Sequence, residues 1–391
     1  MKRISLFFLL LAGSLTLSAQ EAAEQEKKDW QVSGVVGLNA SATGMVNWAA
    51  GGVNNLNGVA FGKVRLLYDK EVLSWETNLD VEYGMSYLDQ KYDKFQKSSD
   101  HLVFNTKFGW AFKPKWYLTV QAGFQTQFDL GRKYTGSTAP NEIISNILAP
   151  SYTDISVGID WKPNDIFSVY ISPVAGRITT AYINNNVQNR FKDYLRDKAY
   201  DEDPSVDLTT IADYNLRKAM QEKYGTWKYD DTETGYHKEY KNFKAALGLT
   251  VKGTVNYTYK DLKIMSSLTL FTPYAWDKTK LYAVTGTDAN GNAYGGIHNK
   301  GQVDKMIAGG YTFADDNITY LGYRDNNQRF GNFDVDWTVA ISYQFLKCLN
   351  VTLSTDLKYY NGVKIPNKDG ENPTERVQFK SVLGLGVGYS F

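Results

Sequence analysis

The sequence predicts an all-β protein, a closed antiparallel transmembrane β-barrel of about 12 strands. Three observations predict it: apolar and polar residues alternate over long segments, short and long connections alternate between these segments, and aromatic residues concentrate near the segment ends. Aromatic residues make up 14% of the 391 residues, whereas 22% are charged. A polar average does not exclude a membrane barrel, because only every second residue of such a strand faces lipid.

Charge and cysteine content exclude several other classes of protein. The 43 lysines and arginines nearly cancel the 42 acidic residues, so no basic excess indicates nucleic-acid binding. The single cysteine, Cys348, excludes a disulfide framework and a cysteine-rich metal site. Glycines 384, 386 and 388 form a GxG pattern that opens no helix, so no dinucleotide site is predicted. We therefore predict neither a metal site nor a cofactor.

Residues 1–19 are predicted to be a secretory signal peptide. A positively charged start is followed by an apolar stretch and by small residues that end at Ala19. Cleavage there would leave 20–29 as a short periplasmic segment ahead of a barrel over 30–391. A leader of this kind together with a barrel predicts localisation in the outer membrane of a Gram-negative bacterium.

Twelve segments alternate between apolar and polar residues, which is typical of strands with two chemically different faces. In the clearest of them, over 377–391, Phe379 and Leu383 share one face, while Gln378 and Lys380 lie on the other. Most segments are ~10 residues or longer, which is enough for a tilted strand to cross a bilayer. The predicted strands are 30–41, 58–70, 73–87, 101–112, 116–129, 152–162, 166–180, 243–260, 262–276, 331–346, 350–361 and 377–391.

The connections between these strands are alternately short and long. The short connections are predicted at 70–72, 113–115, 162–165, 260–261 and 346–350. The connections between them are predicted to span 13 or more residues. Outer-membrane barrels have short periplasmic turns, long extracellular loops and an even number of strands, so this order favours a membrane barrel over a soluble sandwich.

The longest connection, 183–242, is predicted to be an extracellular loop that contains two helices. The first is predicted over 187–199 and the second over 208–224, with Ser205 and Asp207 as candidate caps. Two interpretations of this loop remain open: a lid or receptor surface over the barrel mouth, or a packed loop that stabilises the outer rim.

A further turn is predicted in the connection that follows residue 276. The stretch from Asp288 to Asn292 resembles the start of a calcium loop, but no glutamate stands at its twelfth position. Asn290 and Gly291 are instead predicted to form a hairpin turn.

Large aromatic residues fall on the apolar face of the predicted strands, usually near a strand end. Aromatic side chains in such positions are typical of the girdles at the two membrane–water interfaces. The candidates for these interfaces are Trp75, Trp110, Trp116, Trp161, Trp337 and Phe391.

Several short stretches occur in an order that is similar to one known family. These stretches are 47–54, 75–80, 124–128, 144–146, 148–152, 158–165 and 171–173. They resemble an uncharacterised family of Bacteroidota outer-membrane proteins, known as domain of unknown function 3078. The residues of its motif within 47–54 are Trp48, Gly51, Gly52 and Asn54.

The resemblance is dense from about residue 31 to 180 and weaker from 243 onward, and the 183–242 segment matches the family poorly. It implies an outer-membrane barrel and the associated bacterial lineage. It implies no activity, because the function of the family is unassigned.

Polar positions of the strands would line the barrel interior, with eight cations and nine carboxylates. A balanced interior is not expected to select strongly between anions and cations. The charges either line a narrow aqueous path or pair across a small lumen and close it. The candidate lumen residues are Lys63, Arg65, Asp69, Glu76, Asp80, Glu82, Lys107, Asp154, Asp160, Lys244, Lys252, Lys263, Asp334, Asp336, Asp356, Lys358 and Lys380.

The function predicted from these features is a non-enzymatic, porin-like barrel that acts as a passive or gated pore for small polar solutes. The alternative is a structural or interaction barrel whose extracellular loops bind partner proteins or surface glycans. The predicted surroundings are outer-membrane lipid and lipopolysaccharide, with the barrel-assembly machinery as the partner during biogenesis.

A hydrolase is a remote alternative. His101 follows Asp100 at the outer end of its strand, and Asp334 and Asp336 begin another strand at the same predicted level. Such groups could together activate a water molecule. A lipid hydrolase would also need a lipid-facing serine beside a histidine, and the sequence offers no convincing pair.

Overall fold

The computed structural model describes residues 29–43, 54–134, 142–202, 205, 215–232, 235–275, 278–324, 328–346, 349–365 and 373–390. The predicted signal peptide lies outside these residues. So do the family-motif residues Trp48, Gly51 and Gly52, and the interface candidate Phe391.

Strands make up most of the described chain. They are β1 Trp30–Thr43, β2 Asn55–Lys70, β3 Leu73–Leu88, β4 Phe95–Lys113, β5 Trp116–Thr126, β6 Gly131–Lys133, β7 Glu142–Ser145, β8 Ser151–Trp161, β9 Phe167–Thr180, β10 Trp227–Thr232, β11 Gly235–Tyr240, β12 Phe243–Tyr259, β13 Leu262–Pro273, β14 Lys280–Thr287, β15 Ala293–Asn299, β16 Thr312–Tyr323, β17 Asp334–Leu346, β18 Leu349–Tyr359, β19 Lys364–Ile365, β20 Thr374–Glu375 and β21 Gln378–Ser390. The helices are α1 Asn185–Glu202, α2 Leu216–Lys223 and α3 Lys300–Ala308. Within the described ranges, none of these helices is long and apolar enough to cross a membrane.

Twelve of the strands form one closed antiparallel barrel. Their order around the ring is β1-β2-β3-β4-β5-β8-β9-β12-β13-β17-β18-β21. β1 closes the ring because it pairs with β2 on one side and with β21 on the other, so that Val36 lies opposite both Gly62 and Tyr389. Closure leaves no open sheet edge, as a bilayer requires. The predicted barrel and its number of strands are confirmed.

The outer face of the barrel is apolar and the inner face is polar. On β5, Leu118 and Val120 are exposed on the outside, while Thr119 between them is buried on the inside. The same alternation recurs on β8, where the outward Ile159 precedes the inward Asp160. A soluble sandwich would place its apolar side chains in the core, so this arrangement is that of a barrel surrounded by lipid.

Tryptophans lie on the outer face of the barrel, near the ends of the strands. Trp116 and Trp161 are opposite one another on β5 and β8, with ring centroids 6.0 Å apart. Trp30 was not among the predicted interface residues. Its ring packs edge-on against that of Trp75, with the ring centroids 5.8 Å apart. The five predicted interface tryptophans are exposed on this face: Trp75, Trp110, Trp116, Trp161 and Trp337.

The short connections lie at one end of the barrel and the long ones at the other, which we call the outer end. Three of the tight turns contain a residue other than glycine with a positive φ angle, namely Glu71, Lys115 and Lys260. A positive φ at the first central residue, as at Glu71 and Lys260, is a feature of the two-residue turns that match the twist of paired strands. Lys115 takes it at the second position, after Pro114, as in a type II turn.

One predicted long connection is short in the structure. The connection between β3 and β4 spans only residues 89–94, because β4 begins at Phe95 rather than at 101. Residues 95–100 of β4 are mostly polar, so the apolar alternation that marks a strand is absent there.

The described parts of two long outer connections, between β9 and β12 and between β13 and β17, fold into small elements that we call the outer cap: α1, α2 and α3, the hairpin β10–β11, and the three-stranded sheet β15-β14-β16. Two apolar clusters hold the cap together. One is built around Phe191, Leu216 and Met220, and the other around Trp227 and Leu281. The sheet β14–β16 was not predicted.

The helices and the hairpin turn of the cap can be compared with their predictions. The predicted helix over 187–199 lies within α1. Asn215, not Ser205, caps α2, which is described from Leu216, while Asp207 and the predicted start of this helix at 208 lie outside the described residues. The side chain of Asn215 accepts a hydrogen bond from the backbone N–H of Lys218, which satisfies an otherwise unpaired donor.

The predicted turn at Asn290 and Gly291 joins β14 to β15. Gly291 takes a φ of +84°, an angle that a glycine adopts without strain. The carboxylate of Asp288 accepts hydrogen bonds from the backbone N–H groups of Asn290 and Asn292, so it supports the turn.

Candidate functional site

The inner face of the barrel, which we call the lumen, is the candidate functional site. The strand registers place inside the barrel fourteen of the seventeen predicted candidates named above: Lys63, Arg65, Glu76, Asp80, Glu82, Lys107, Asp154, Asp160, Lys252, Asp334, Asp336, Asp356, Lys358 and Lys380. Asn54, the one family-motif residue that the structure describes, lies before β2, and its amide donates to Asp89 at 3.4 Å.

On one side of the lumen, formed by β21 and β1–β4, ion pairs are open to water. We call this side the exposed wall. Arg65 Nε lies 2.8 Å from Glu76 Oε1, and Lys63 Nζ lies 2.9 Å from Asp80 Oδ2. The side chain of Lys63 is 52% exposed although it points inward. Because a closed barrel surrounds it, that exposed surface can only face water inside the lumen.

The exposed wall continues toward the outer end through β21. Lys380 Nζ lies 3.8 Å from Glu82 Oε1 and 3.5 Å from the hydroxyl oxygen of Ser99 on β4. Its side chain is 49% exposed. His101, also on β4, places Nε2 3.4 Å from Asp80 Oδ1. The exposed wall is therefore a series of solvated charges that extends along the barrel.

The opposite side, formed by β8, β9, β12, β13, β17 and β18, is densely filled, and we call it the packed wall. Its centre is Arg177, whose side chain is 10% exposed and lies between two carboxylates. Arg177 Nε is 2.7 Å from Asp154 Oδ1, and its Nη1 is 3.1 Å from Asp334 Oδ2. The guanidinium also lies over the rings of Phe271 and Tyr360.

The carboxylates of the packed wall have further partners. Asp334 Oδ1 accepts a hydrogen bond from the backbone N–H of Asn361 at 2.8 Å. The hydroxyl of Tyr360 donates to Asp336 Oδ2 at 2.7 Å, and the ring of Tyr360 packs on that of Tyr152. A buried charge needs such partners to offset the loss of water.

A second buried carboxylate lies near the short-turn end. Asp160 on β8 is fully buried, and its Oδ2 is 2.5 Å from Lys107 Nζ and 3.7 Å from Lys162 Nζ. Lys107 stands on β4, so this ion pair spans β5. It ties three neighbouring strands of the barrel together.

One contact crosses the whole lumen. Lys358 Nζ on β18 lies 3.3 Å from Gln125 Oε1 on β5. These two strands are six places apart in the ring of 12, so they lie on opposite sides of the barrel. We call this contact the neck, because it narrows the lumen near the outer end.

Sequence reasoning missed Arg177, and a β-bulge is the reason. On β9, Ile171 faces outward, and counting by two from it places Arg177 on the outer face as well. The pairing of β9 with β8 and β12 shifts at Ser172 and Pro173, which inserts one extra residue and turns Arg177 inward. Pro173 was the available signal, since proline within a barrel strand marks a bulge.

The groups considered for hydrolysis are not brought together. The carboxylate of Asp100 accepts from Lys97 Nζ at 2.7 Å and from the backbone N–H of Asp129 at 2.8 Å, so it has a structural role. His101 instead faces Asp80 on the exposed wall, while Asp334 and Asp336 belong to the packed wall.

The outer cap carries its own polar contacts. Lys238 Nζ lies 2.8 Å from Glu222 Oε1 and sits over the ring of Trp227. The hydroxyl of Tyr240 donates to Glu222 Oε2, and burial together with that carboxylate raises the pKa of Tyr240 to about 12. These contacts join α2 to the hairpin β10–β11 and make the cap a defined surface.

Comparison with protein families identifies one match. Residues 40–131 match the model of a family described as protein of unknown function, DUF3078. The resemblance drawn from the sequence motifs is confirmed over this range. No curated protein matches the sequence.

Several solved structures are similar in overall arrangement. The translocator domain of the autotransporter NalP from Neisseria meningitidis is 8% identical, with 99% of this chain and 95% of that chain covered and a TM-score of 0.33. An outer membrane channel from Pseudomonas putida F1 is 9% identical, with 96% and 100% covered and a TM-score of 0.34. OmpT, an outer membrane protein of Vibrio cholerae, is 8% identical, with 94% and 100% covered and a TM-score of 0.25.

Proposed function

We propose that this chain, matched over 40–131 to a family of unknown function, is an outer-membrane barrel that acts as a narrow pore for small polar solutes. One observation carries the proposal: inward-facing charged side chains such as Lys63 and Lys380 are about half exposed inside a closed wall. Their exposure requires a lumen wide enough for water beside the exposed wall.

The chemistry of the exposed wall suits the passage of polar molecules. A solute that enters a pore loses part of its hydration, and side chains that donate and accept hydrogen bonds replace it. The pairs Lys63–Asp80 and Arg65–Glu76 offer donors and acceptors side by side along the wall. Because the ion pairs are solvated, their rearrangement around a passing solute costs little free energy.

The neck sets the size of solute that can pass. Lys358 and Gln125 meet across the lumen through a single hydrogen bond between two long, flexible side chains. Such a contact narrows the path to small solutes, and it can open without any movement of the backbone. The pore is therefore gated at most by side chains at this level.

Conductance of the purified chain in planar lipid bilayers tests the proposal. We expect discrete current steps for the wild type and larger steps for Lys358→Ala, because this substitution removes the neck. Lys305→Ala, the same substitution on the exposed surface of α3, is the matched control and should leave the current unchanged. Absence of current from folded wild type and folded Lys358→Ala alike would refute the pore.

A second candidate function is that of an interaction barrel, and the folded outer cap favours it. Two apolar clusters give the cap a defined surface, which an unstructured loop would lack. The partner would then be a surface protein or glycan rather than a solute.

The ends of the cap sheet lie close enough for a deletion, which also removes Leu281 from the apolar cluster around Trp227. The backbone N–H of Arg324 donates to the carbonyl of Thr279 at 3.1 Å, so a short glycine linker can replace 280–323. If the chain is an interaction barrel, this variant should lose binding to surface proteins and glycans. A pore without a binding role should conduct as before and show no binding in either form.

A further inference from the structure

We infer that the lumen favours zwitterionic solutes, of the class of free α-amino acids and short peptides. Lys380 and Asp154 would hold the carboxylate and the ammonium group of such a solute from opposite walls. The inference rests on the proposed pore function and deepens it by naming the solute class.

The registers place these two residues opposite each other. Lys380 is on β21 and Asp154 is on β8, six places apart in the ring of 12. The neck provides a common reference level: Gln125 pairs with Tyr152 of β8, and Lys358 pairs with Gln378 of β21.

Asp154 lies two residues beyond Tyr152, and Lys380 lies two residues beyond Gln378, both in the direction of the short-turn end. Inward-facing positions recur every two residues, so each of these residues is the next inward side chain below the neck on its own wall. The cation and the carboxylate therefore stand at the same depth and face each other across the lumen.

Both groups are open to the lumen. The side chain of Lys380 is 49% exposed and that of Asp154 is 45% exposed. Arg177, the partner of Asp154, is itself buried and shares its charge with Asp334, so Asp154 keeps a free side toward the lumen. The ion pair of Lys380 with Glu82 is long, at 3.8 Å, and half of the lysine side chain stays open to the lumen beside it.

Other charges at this level are less open to a solute. Glu82 and Asp356 flank Lys380, and both are less exposed than Lys380 itself. Lys252, on the side of Asp154, is also mostly covered. The groups that a solute meets first are thus one cation and one carboxylate, on facing walls.

This placement favours a solute that carries both charges. An anion is attracted by Lys380 but repelled by Asp154. A cation is attracted by Asp154 but repelled by Lys380. A zwitterion can orient its carboxylate toward Lys380 and its ammonium group toward Asp154, and it gains from both. Counting charges around the lumen predicts no selectivity, whereas their positions predict selectivity for a neutral molecule with separated charges.

Swelling of proteoliposomes in isotonic solutes tests the inference, with glycine and its uncharged isomer glycolamide as probes. The two solutes have the same atoms, so size does not separate them. We expect glycine to enter roughly fivefold faster than glycolamide through the wild type, a factor that corresponds to one weak solvated charge contact at each end.

Removal of either charge should abolish the preference. The glycine-to-glycolamide ratio should fall to near one in Asp154→Asn and in Lys380→Gln, whereas Lys380→Arg should retain it. Asp288→Asn and Lys305→Gln remove the same charges from the outer cap and should retain the wild-type ratio. Heat-modifiable gel mobility shows that each variant is folded.

The possible outcomes separate this inference from the proposed function. Entry of both solutes at equal rates through the wild type would overturn zwitterion selectivity and leave the pore intact. A ratio that survives both Asp154→Asn and Lys380→Gln would also overturn it. Entry of neither solute would overturn the pore itself.

Discussion

The exposed wall and the packed wall carry the same kinds of ion pair in opposite surroundings. On the exposed wall, Lys63 and Asp80 meet at 2.9 Å in contact with water. On the packed wall, Arg177 binds Asp154 and Asp334 at similar distances, but it is enclosed by aromatic rings. Similar distances therefore do not imply similar energies.

Burial decides what each wall contributes. A solvated ion pair contributes about 0–1 kcal/mol, because water compensates for its loss. Removal of one partner from a buried pair costs about 3–5 kcal/mol, because the remaining charge is left without water. The buried pairs of the packed wall thus stabilise the barrel, whereas the solvated charges, those of the exposed wall together with Asp154, are free to interact with a solute.

The largest effect is expected for Arg177→Ala. This substitution leaves the mostly buried Asp334 without its guanidinium partner, so the free energy of unfolding should fall by about 3–5 kcal/mol. Urea unfolding in detergent micelles, followed by tryptophan fluorescence, measures the change. Arg65→Ala on the exposed wall is the matched control. An equal loss of stability in both variants would contradict the expected difference between the two walls.

A smaller effect is expected for Tyr360→Phe. The substitution removes only the hydroxyl that donates to Asp336, so the loss should be about 1.5–3 kcal/mol, as for a hydrogen bond to a charged group. The same unfolding experiment applies, and Tyr359→Phe next to it is the control. A variant as stable as the wild type would show that water replaces this hydroxyl, and the wall would then not be densely filled.

A still smaller effect is expected for Lys63→Gln. Its carboxylate partner Asp80 stays in contact with His101 and with water, so stability should change by less than about 1 kcal/mol. The difference between variant and wild type should also shrink in concentrated salt, which screens solvated charges. A large loss of stability that does not depend on salt would show that the Lys63–Asp80 pair behaves as a buried ion pair, like the pairs of Arg177.

The smallest effect is expected in the outer cap and concerns pH. Burial lowers the pKa of His298, whose Nε2 lies 2.6 Å from the hydroxyl oxygen of Tyr294. The folded sheet therefore keeps this imidazole neutral, while the unfolded segment takes up a proton near the ordinary histidine value of 6.5. The stability that this contact gives to β14–β16 is present above that pH and is lost as the pH falls below it.

Hydrogen exchange of the β15 backbone amides between pH 7.5 and 5.5 measures this effect, after correction for the intrinsic exchange rate. Protection should weaken toward the acidic end in the wild type. It should stay nearly constant in His298→Gln, which cannot titrate. Equal pH dependence in both forms would assign the change to another group.

The barrel itself could be predicted because each strand carries its own signal. A lipid-facing position needs an apolar side chain and a lumen-facing position does not, so the alternation over segments such as 116–129 is written into the sequence. The facing of Lys107 and Asp160 follows from that alternation. Their contact across β5 does not follow, because it depends on how far each strand is shifted against the next.

The outer cap and the start of β4 were predicted poorly for a different reason. The strands of the cap pack on apolar clusters of the cap rather than on lipid, so their apolar residues need not alternate: the buried residues of β14, Leu281 and Val284, stand three positions apart. The start of β4 at Phe95 lacks the alternation as well. The helix α1 was predicted because its own pattern of polar and apolar residues is local.

The sequence alone determined a closed antiparallel barrel, its twelve strands and the polarity of its two faces, since these depend on residues next to one another in the chain. Only the tertiary structure decided which wall is solvated and which is packed, where the neck lies, and that Arg177 turns inward. Those features depend on a bulge, on strand shifts and on side chains that meet across the lumen from positions as distant as 125 and 358. Contacts across the lumen depend on how the strands close into a ring, and no local pattern of residues encodes that closure.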